Sequence, residues 1–556
     1  MQELSEYTKR HWDVVVIGGG ATGAGTLRDL AMRGVKALLL EQRDLVHGTS
    51  SRFHGLLHSG ARYAVKDAEA GRECIEENRI LRRIGKHCVE ETEGFFVRTP
   101  EDGAEFEATW VTACDKCGIE ATPLTVKEAR ALEPNLADNI VSVYRVPDSA
   151  VDGFRLVWQN VQNAVRHGAG FRTYTEVTSI NSANGQVTSV SVRDSRTGQT
   201  GEIPCSFVVN AAGSWVGELA HTAGLDINVK PDRGTLVAFN HRFTSRVINR
   251  LRKASDGDIF VPHGSITILG TTSKKTDKPD DTVPDTAEVH ELLDIGRVLF
   301  PEIDSYRILR TFAGTRPLYT ADPSAEGRGA SRNFVVLDHE KEGLKGMATI
   351  CGGKLTTYRL MGERMADLVC AKLGVAAQCR TAVEPLVEDT PPALLERARK
   401  VFPAQGLEQA ESRLGDSFAA TVERLEAAPW KKALLCECER VTIAEFEQVA
   451  SEPTSHSLND IRRRTRMGMG TCQGSFCGLR GVGAVLEADL LPAARPEGTA
   501  EDAAQAGACG APDLLRTFQQ ERWYGIRPVL WGSELRETEL ARGMYGATLN
   551  VDGADE

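Results

Sequence analysis

Three groups of residues in this chain have types and spacings that could do chemistry. The first is Gly18-x-Gly20-x-x-Gly23, preceded by the apolar run Val14-Val15-Val16-Ile17 and followed by Leu38-Leu39-Leu40-Glu41. A glycine turn between a strand and a helix brings backbone amides against a pyrophosphate. Gly18, Gly19, Gly20, Ala21, Thr22 and Gly23 are therefore expected to hold a dinucleotide. Glu41, 23 residues after Gly18, stands near the offset of an acid that accepts hydrogen bonds from a ribose, with Gln42 beside it. Thr49, Ser50 and Ser51 follow shortly and offer hydroxyls and amides to a phosphate.

The second group is cationic. Arg62, Arg316 and Lys354 are far apart in sequence, and each lies beside a glycine-containing turn. Three separated cations are what a dianionic phosphate requires. His58, in Leu56-Leu57-His58-Ser59-Gly60-Ala61-Arg62-Tyr63, could act as a general base or simply be hydrogen-bonded in place. Arg62 could equally belong to a surface ion pair.

The third group is Cys436-x-Cys438 and Cys472-x4-Cys477. Between the pairs runs Arg462-Arg463-Arg464-Thr465-Arg466, and Gly468, Gly470 and Gly474 surround the second pair. Basic residues offset the charge of four thiolates, and glycine loops can aim amides at sulfur. Two metals compete for this set. Structural zinc takes four Cys, usually in C-x2–4-C pairs, whereas a C-x4-C pair is common among 2Fe–2S proteins. A dinucleotide that carries two electrons would need a one-electron outlet, which favours iron–sulfur. Cys114-x-x-Cys117 has no second pair nearby and reads as two ordinary thiols.

The elements that must position these groups follow from the pattern of apolar runs. Strand-like and helical stretches alternate from Asp13 to about Arg380, which indicates an α/β architecture. A second strand, Cys205 to Asn210, ends at Ala211-Ala212-Gly213, and a third, Met347 to Cys351, ends at Gly352-Gly353-Lys354-Leu355-Thr356-Thr357. Small residues at the first of these junctions would let backbone lie close to a cofactor; Ala212, Gly213, Gly353, Lys354, Leu355 and Thr356 are counted among its expected contacts. The β-rich stretch Val229–Arg316 reads as a mostly antiparallel sheet inserted into a discontinuous, Rossmann-type dinucleotide domain. The expected organisation is an oxidoreductase region over 11–380, with the inserted sheet mainly within 85–150 and 225–330. A linker and helical segment (381–432), a Cys module (433–490), a flexible connector (491–513) and a tail (514–556) follow. Trp523 to Trp531 in the tail is either a docking surface or local packing.

The totals narrow the function classes. A chain of 556 residues calls for two or three domains. A net charge of −11 argues against bulk nucleic-acid binding and makes any anion site a local cluster. No basic-then-apolar segment precedes Val14, and no run approaches the roughly 18 apolar residues of a membrane span. Thirteen Cys, an odd number in a chain without an export signal, do not suggest a disulfide framework.

Taken together, Gly18–Gly25, His58 to Tyr63, Gly270-Thr271-Thr272, Gly314-Thr315-Arg316-Pro317-Leu318 and Gly352 to Arg359 resemble the FAD-dependent glycerol-3-phosphate dehydrogenases of the D-amino-acid-oxidase-like superfamily. The Cys segment is similar to the bacterioferritin-associated-ferredoxin-like 2Fe–2S module. The combination looks like the A subunits of the anaerobic, multi-subunit enzymes. The resemblance implies a noncovalent FAD and oxidation of sn-glycerol 3-phosphate to dihydroxyacetone phosphate. It also implies electron delivery through the cluster to a partner flavoprotein and membrane-anchoring iron–sulfur subunits, and on to quinone, at the cytoplasmic face of the membrane. Carried over, it assigns Arg62, Tyr63, Arg316, Arg332 and Lys354 to the substrate phosphate or its border, and Thr356 and Thr357 to the turn near the flavin ring. In one respect this chain departs from the pattern: single-subunit relatives have Lys-Gly-Ser-His where it has Arg233-Gly234-Thr235-Leu236. The base is then His58, or Arg62 acts electrostatically on a forming alkoxide. Two rivals remain: an oxidase of 2-hydroxy acids or amino acids on the same fold, and a flavin-bearing protein of electron transfer or assembly.

Overall fold

The computed structural model describes residues 3–319, 333–491 and 510–532, with isolated positions between 535 and 546. Its contacts separate two compact units, one holding Gln2–Ser195 and Gln199–Leu386, the other Val387 onward with Arg196–Gly198.

In the first unit the strand Trp12–Ile17 is apolar on both faces because it is covered on both. Val15 lies opposite Val208 on one side and Leu38 on the other, both in parallel register. The parallel strands run in the order Gly170–Arg172, Ala37–Leu40, Trp12–Ile17, Thr200–Asn210, Met347–Gly352. Phe334–Asp338 adds an antiparallel edge, and the hairpin Thr175–Ala183/Gln186–Asp194 extends the first half of Thr200–Asn210. The helix Ala21–Met32 packs against Gly153–Arg166 and Tyr358–Leu373. The strand ends at Ile17, Leu40 and Asn210, which carry expected cofactor residues, open onto one edge of the sheet, where ligands of such folds bind.

Among the described residues the second sheet of this unit has nine strands, drawn from 94–146 and 229–319. It is antiparallel except where Val247–Arg250 runs alongside Gly94–Arg98. Its longest pairing joins Val229–Phe239 to Ile308–Tyr319 and sets Asp232 directly opposite Arg316. This is the α/β architecture with an inserted, mostly antiparallel sheet that the sequence pattern indicates. Cys114 and Cys117 are buried thiols of this unit; burial pushes Cys114 up to about 12, as expected of ordinary core cysteines.

The second unit is helical. Pro392–Val401, Leu407–Leu414 and Phe418–Ala427 bury Phe402, Phe418 and Val422 in one core with Phe446, Ile461, Met467 and Phe518. The Cys-bearing stretch and the helix Ala511–Ile526 thus share that core. Among the described residues no helix is long and apolar enough to cross a membrane.

The glycine turn is held by contact. Gly18 has φ +115°, and a Cβ there would meet the Ala211 carbonyl oxygen at 2.5 Å. A Cβ at Gly23 would overlap the carbonyl oxygen of Gly18, so the helix can approach the strand only without a side chain there. Gly23→Ala is expected to destabilise the protein by about 1–3 kcal/mol and to lower its content of the expected dinucleotide. Thermal unfolding and the nucleotide content of the purified variant check this, and an unchanged melting temperature with full dinucleotide content would contradict it.

Candidate active site

A cavity of about 520 Å³ opens where the strands of the parallel sheet end. Gly18, Gly19, Gly20, Ala21 and Thr22 line it, as do Glu41, Gln42, Thr49, Ser50, Ala212, Gly213, Gly353, Leu355 and Thr356. His58, Tyr63, Arg316 and Lys354 border the same cavity. Gly23, Ser51 and Arg62 do not line it, and Arg332 lies outside the described residues.

The first half of the cavity is built on Glu41. Its carboxylate accepts the Gly19 N–H at 2.7 Å and the Arg43 N–H at 2.9 Å, which locks the glycine turn to the end of the second strand. Burial pushes the Glu41 carboxyl up, and these two backbone donors work against it. Several polar groups of this region are engaged within the protein. The Ala21 amide donates to Ser50 Oγ at 3.0 Å. Thr49 donates its hydroxyl proton to the Thr315 carbonyl at 2.6 Å, and Ser51 donates its own to the Gly48 carbonyl at 3.0 Å.

The other half is lined by cations, each with a different support. Arg316 pairs with the carboxylate of Asp232 and donates to Thr271 Oγ1 and the Thr272 carbonyl. A Cβ at residue 234 would occupy the place of this guanidinium, so Gly234 clears room for it. Lys354 holds its ammonium 4.8 Å from the centre of the Tyr63 ring. The turn that carries Lys354 continues into the helix Tyr358–Leu373, which Arg359 ties to Glu77 at 2.5 and 2.8 Å. Glu77 belongs to the helix Ala68–Ile84, which follows Tyr63, so the two halves of the Lys354–Tyr63 contact share an anchor.

The Arg62 side chain is buried and paired with Asp258 at 2.9 Å, and it donates to the Ser255 carbonyl at 3.1 Å. It is therefore no surface ion pair, and it stands behind the cavity wall. His58 is 8% exposed. Its backbone N–H donates to Thr356 Oγ1 at 3.1 Å, and its ring lies 5.2 Å from that of Tyr63. Asp148 fixes this segment by accepting the Ser59 N–H at 2.6 Å. Of the Arg233-Gly234-Thr235-Leu236 strand, Arg233 pairs with Asp281 and Glu288, and Leu236 is fully buried beside Ala238 and Ile268. No base comes from these positions.

The cavity also includes residues that sequence reasoning missed: His47, His54, Trp215 and Asp280. Nothing in the spacing of His47, Trp215 and Asp280 marks them, because each reaches the cavity only through the fold. His54, four residues before His58, had a weak local signal in the recurrence of His along one segment.

In the helical unit the four module cysteines converge. Cys477 touches both Cys436 and Cys472, and Cys472 touches Cys438. Backbone N–H groups of Gly468 and Glu439 point to the Cys436 sulfur, and those of Gly474 and Phe476 point to the Cys472 sulfur. Contact with Cys477, then these amides, lowers the Cys436 and Cys472 thiols, while Cys477 is raised by the same contacts. Cys438 is exposed and Cys472 half-buried; the other two are buried. Among the described residues no group of three or more His, Cys, Asp or Glu side chains is held open as a metal cage. The sulfurs lie against one another instead.

The profile of the FAD dependent oxidoreductase family matches residues 13–359. Over 538 residues the chain is 44% identical to the A subunit of anaerobic glycerol-3-phosphate dehydrogenase from Escherichia coli, covering 96% of each protein. It is 40% identical over 554 residues to the protein of the same name from Haemophilus influenzae, covering 99% of this chain and 95% of that one. The crystal structure of a glycerol-3-phosphate dehydrogenase from Bacillus halodurans complexed with FAD covers 95% of this chain and 98% of its own, with a TM-score of 0.69. At 23% identity that likeness bears on the fold alone. The chain belongs to the FAD-dependent oxidoreductase family and, within it, to the family of anaerobic glycerol-3-phosphate dehydrogenase A subunits.

Proposed function

We propose that this chain oxidises sn-glycerol 3-phosphate to dihydroxyacetone phosphate with FAD, and that the electrons leave through a 2Fe–2S cluster held by Cys436, Cys438, Cys472 and Cys477. The observation that carries the reading is one cavity shared by a glycine turn suited to a dinucleotide and by Arg316, Lys354, Tyr63 and His58. The glycine turn fits FAD, since Gly18, Gly19, Gly20, Ala21 and Thr22 line the cavity with small residues and Glu41 borders it. FAD, when bound, supplies the two-electron oxidant for the hydrogen on C2.

The chain's own residues have separable tasks. Lys354 and Arg316 receive the phosphate, with Tyr63 holding the ammonium in place. Phosphate is remote from the reacting carbon, so its binding energy serves to position C2. His58 takes the proton of the C2 hydroxyl on its ring, and Arg62, from behind the wall, favours the developing negative charge on that oxygen. A carboxylate substrate would need one such cation, which is why the phosphate ester is preferred to a hydroxy or amino acid.

The four thiols fit an iron–sulfur cluster by donor chemistry: soft ligands in mutual contact, with backbone N–H groups aimed at three of the sulfurs. Such a cluster accepts and passes single electrons. The relatives are named as A subunits, which supports an assembly of several different chains; its place in this reading is the cytoplasmic face of the membrane. There, a partner flavoprotein and membrane-anchoring iron–sulfur subunits would reach the quinone pool.

Two measurements check this reading. Steady-state kinetics with a dye acceptor should show glycerol to be a very poor substrate beside its phosphate. Lys354→Met should lower kcat/KM for the phosphate roughly 10- to 150-fold and leave the residual glycerol rate alone. Comparable kcat/KM for the two substrates in the wild type would overturn the phosphate assignment. Separately, anaerobically purified protein should contain about two irons and two acid-labile sulfides per chain, lost in Cys438→Ser. That variant should keep dye reduction and, in the intact complex, lose quinone reduction. Zinc in place of iron, or unimpaired quinone reduction, would remove the cluster from the path.

A further inference from the structure

His54 borders the cavity near both guanidinium groups and has no task in the reading above. Its ring lies 5.8 Å from that of His58, at 77°. Its Nδ1 accepts the backbone N–H of Leu56 at 3.2 Å. A ring nitrogen that accepts carries no hydrogen, so the neutral imidazole bears its proton on Nε2. Among the described residues no group takes that proton. Burial, then the charges of Arg316 and Arg62, push the ring down to about 3, and it stays neutral through the working range. With one nitrogen committed to Leu56 and the other already protonated, His54 cannot serve as a base. What it offers the cavity is a single uncharged donor.

We propose that the Nε2–H of His54 donates a hydrogen bond to the C2 oxygen of the substrate, making His54 a further catalytic residue. The inference rests on the cavity being where glycerol 3-phosphate is oxidised. Oxidation there breaks C2–H and O–H and forms C2=O. The hydrogen on carbon leaves with its electron pair to the FAD oxidant, and the hydroxyl proton leaves to a base. A hydroxyl both donates and accepts, whereas a phosphate at neutral pH chiefly accepts. Two neighbouring imidazoles, His58 taking a proton and His54 giving a hydrogen bond, therefore match a hydroxyl, while Arg316 and Lys354 match the phosphate. A neutral donor also holds the oxygen without placing another positive charge beside Arg62, Arg316 and Lys354. A neutral imidazole polarising a carbonyl is an established catalytic device elsewhere.

The test uses the full-length flavoprotein and three variants. His54→Phe keeps a ring and removes the donor, His54→Ala removes both, and His54→Gln keeps a donor. In the wild type, the infrared carbonyl stretch of bound dihydroxyacetone phosphate, labelled with carbon-13 at C2, should be lowered from its value in solution. It should return toward that value in His54→Phe and His54→Ala and recover partly in His54→Gln. By calorimetry, affinity for dihydroxyacetone phosphate should fall about 10-fold in the two donor-less variants, with affinity for inorganic phosphate within about 2-fold of wild type. The limiting rate of anaerobic flavin reduction by glycerol 3-phosphate should drop about 100-fold. An unshifted carbonyl stretch in the wild type, or equal losses for dihydroxyacetone phosphate and inorganic phosphate, would overturn the role of His54 alone. A wild type whose flavin glycerol 3-phosphate does not reduce would overturn the underlying reading and this inference with it.

Discussion

Positive charge can be gathered at one end of this cavity because carboxylates stand behind the guanidinium groups. Asp232 backs Arg316, and Asp258 backs Arg62 and also binds Arg252. Each carboxylate is itself buried, so each pair depends on both partners remaining. Removing one partner of such a pair typically costs about 3–5 kcal/mol, because an uncompensated charge is left behind. Lys354 is supported differently, by the face of Tyr63, and Arg359 with Glu77 fixes the two elements that bring them together. The arrangement explains how a chain of net charge −11 presents a basic wall to one ligand. It also bears on His54: burial, and then the two guanidinium groups nearby, make a protonated imidazole unfavourable, which leaves a neutral donor.

Strand register is what makes the Arg316 pair. Asp232 and Arg316 are directly opposed across antiparallel strands, where cross-strand side chains meet. A slip of one residue would turn Arg316 to the other face of the sheet. Gly234, two residues along on the same face as Asp232, leaves the volume that the guanidinium fills. The inserted sheet thus sets the position of Arg316, and the parallel sheet sets that of the glycine turn.

The parts legible in the sequence were those whose physics is local. Gly18 to Gly23 could be read because the turn, the helix start and the apolar strand are all encoded within a few residues, and the acid lies at a set offset. Alternating strands and helices, and the β-rich stretch after Val229, carried the fold class in the same way. Hydroxyl roles were not legible: the sequence displays Thr49 and Ser51 as donors, but not that the Thr315 and Gly48 carbonyls take their protons. Arg62 was ambiguous for a similar reason, since Asp258 lies 196 residues away and no local pattern announces the pair. His54 was missed because its chemistry comes from a backbone amide two residues on and from charges that only the fold brings close. In the Cys segment the spacing indicated convergence, and the four sulfurs meet, but spacing could not choose the metal.

The central claim is that a phosphate-bearing polyol gives up its C2 hydrogen in the cavity formed by the glycine turn and the basic wall. Its most direct test is a single turnover: one equivalent of sn-glycerol 3-phosphate added to the oxidised flavoprotein without oxygen or external acceptor, with the visible spectrum followed and the product assayed. The account predicts loss of the yellow flavin absorbance, matched by dihydroxyacetone phosphate. A flavin that keeps its colour while the added ester is recovered unchanged would contradict it.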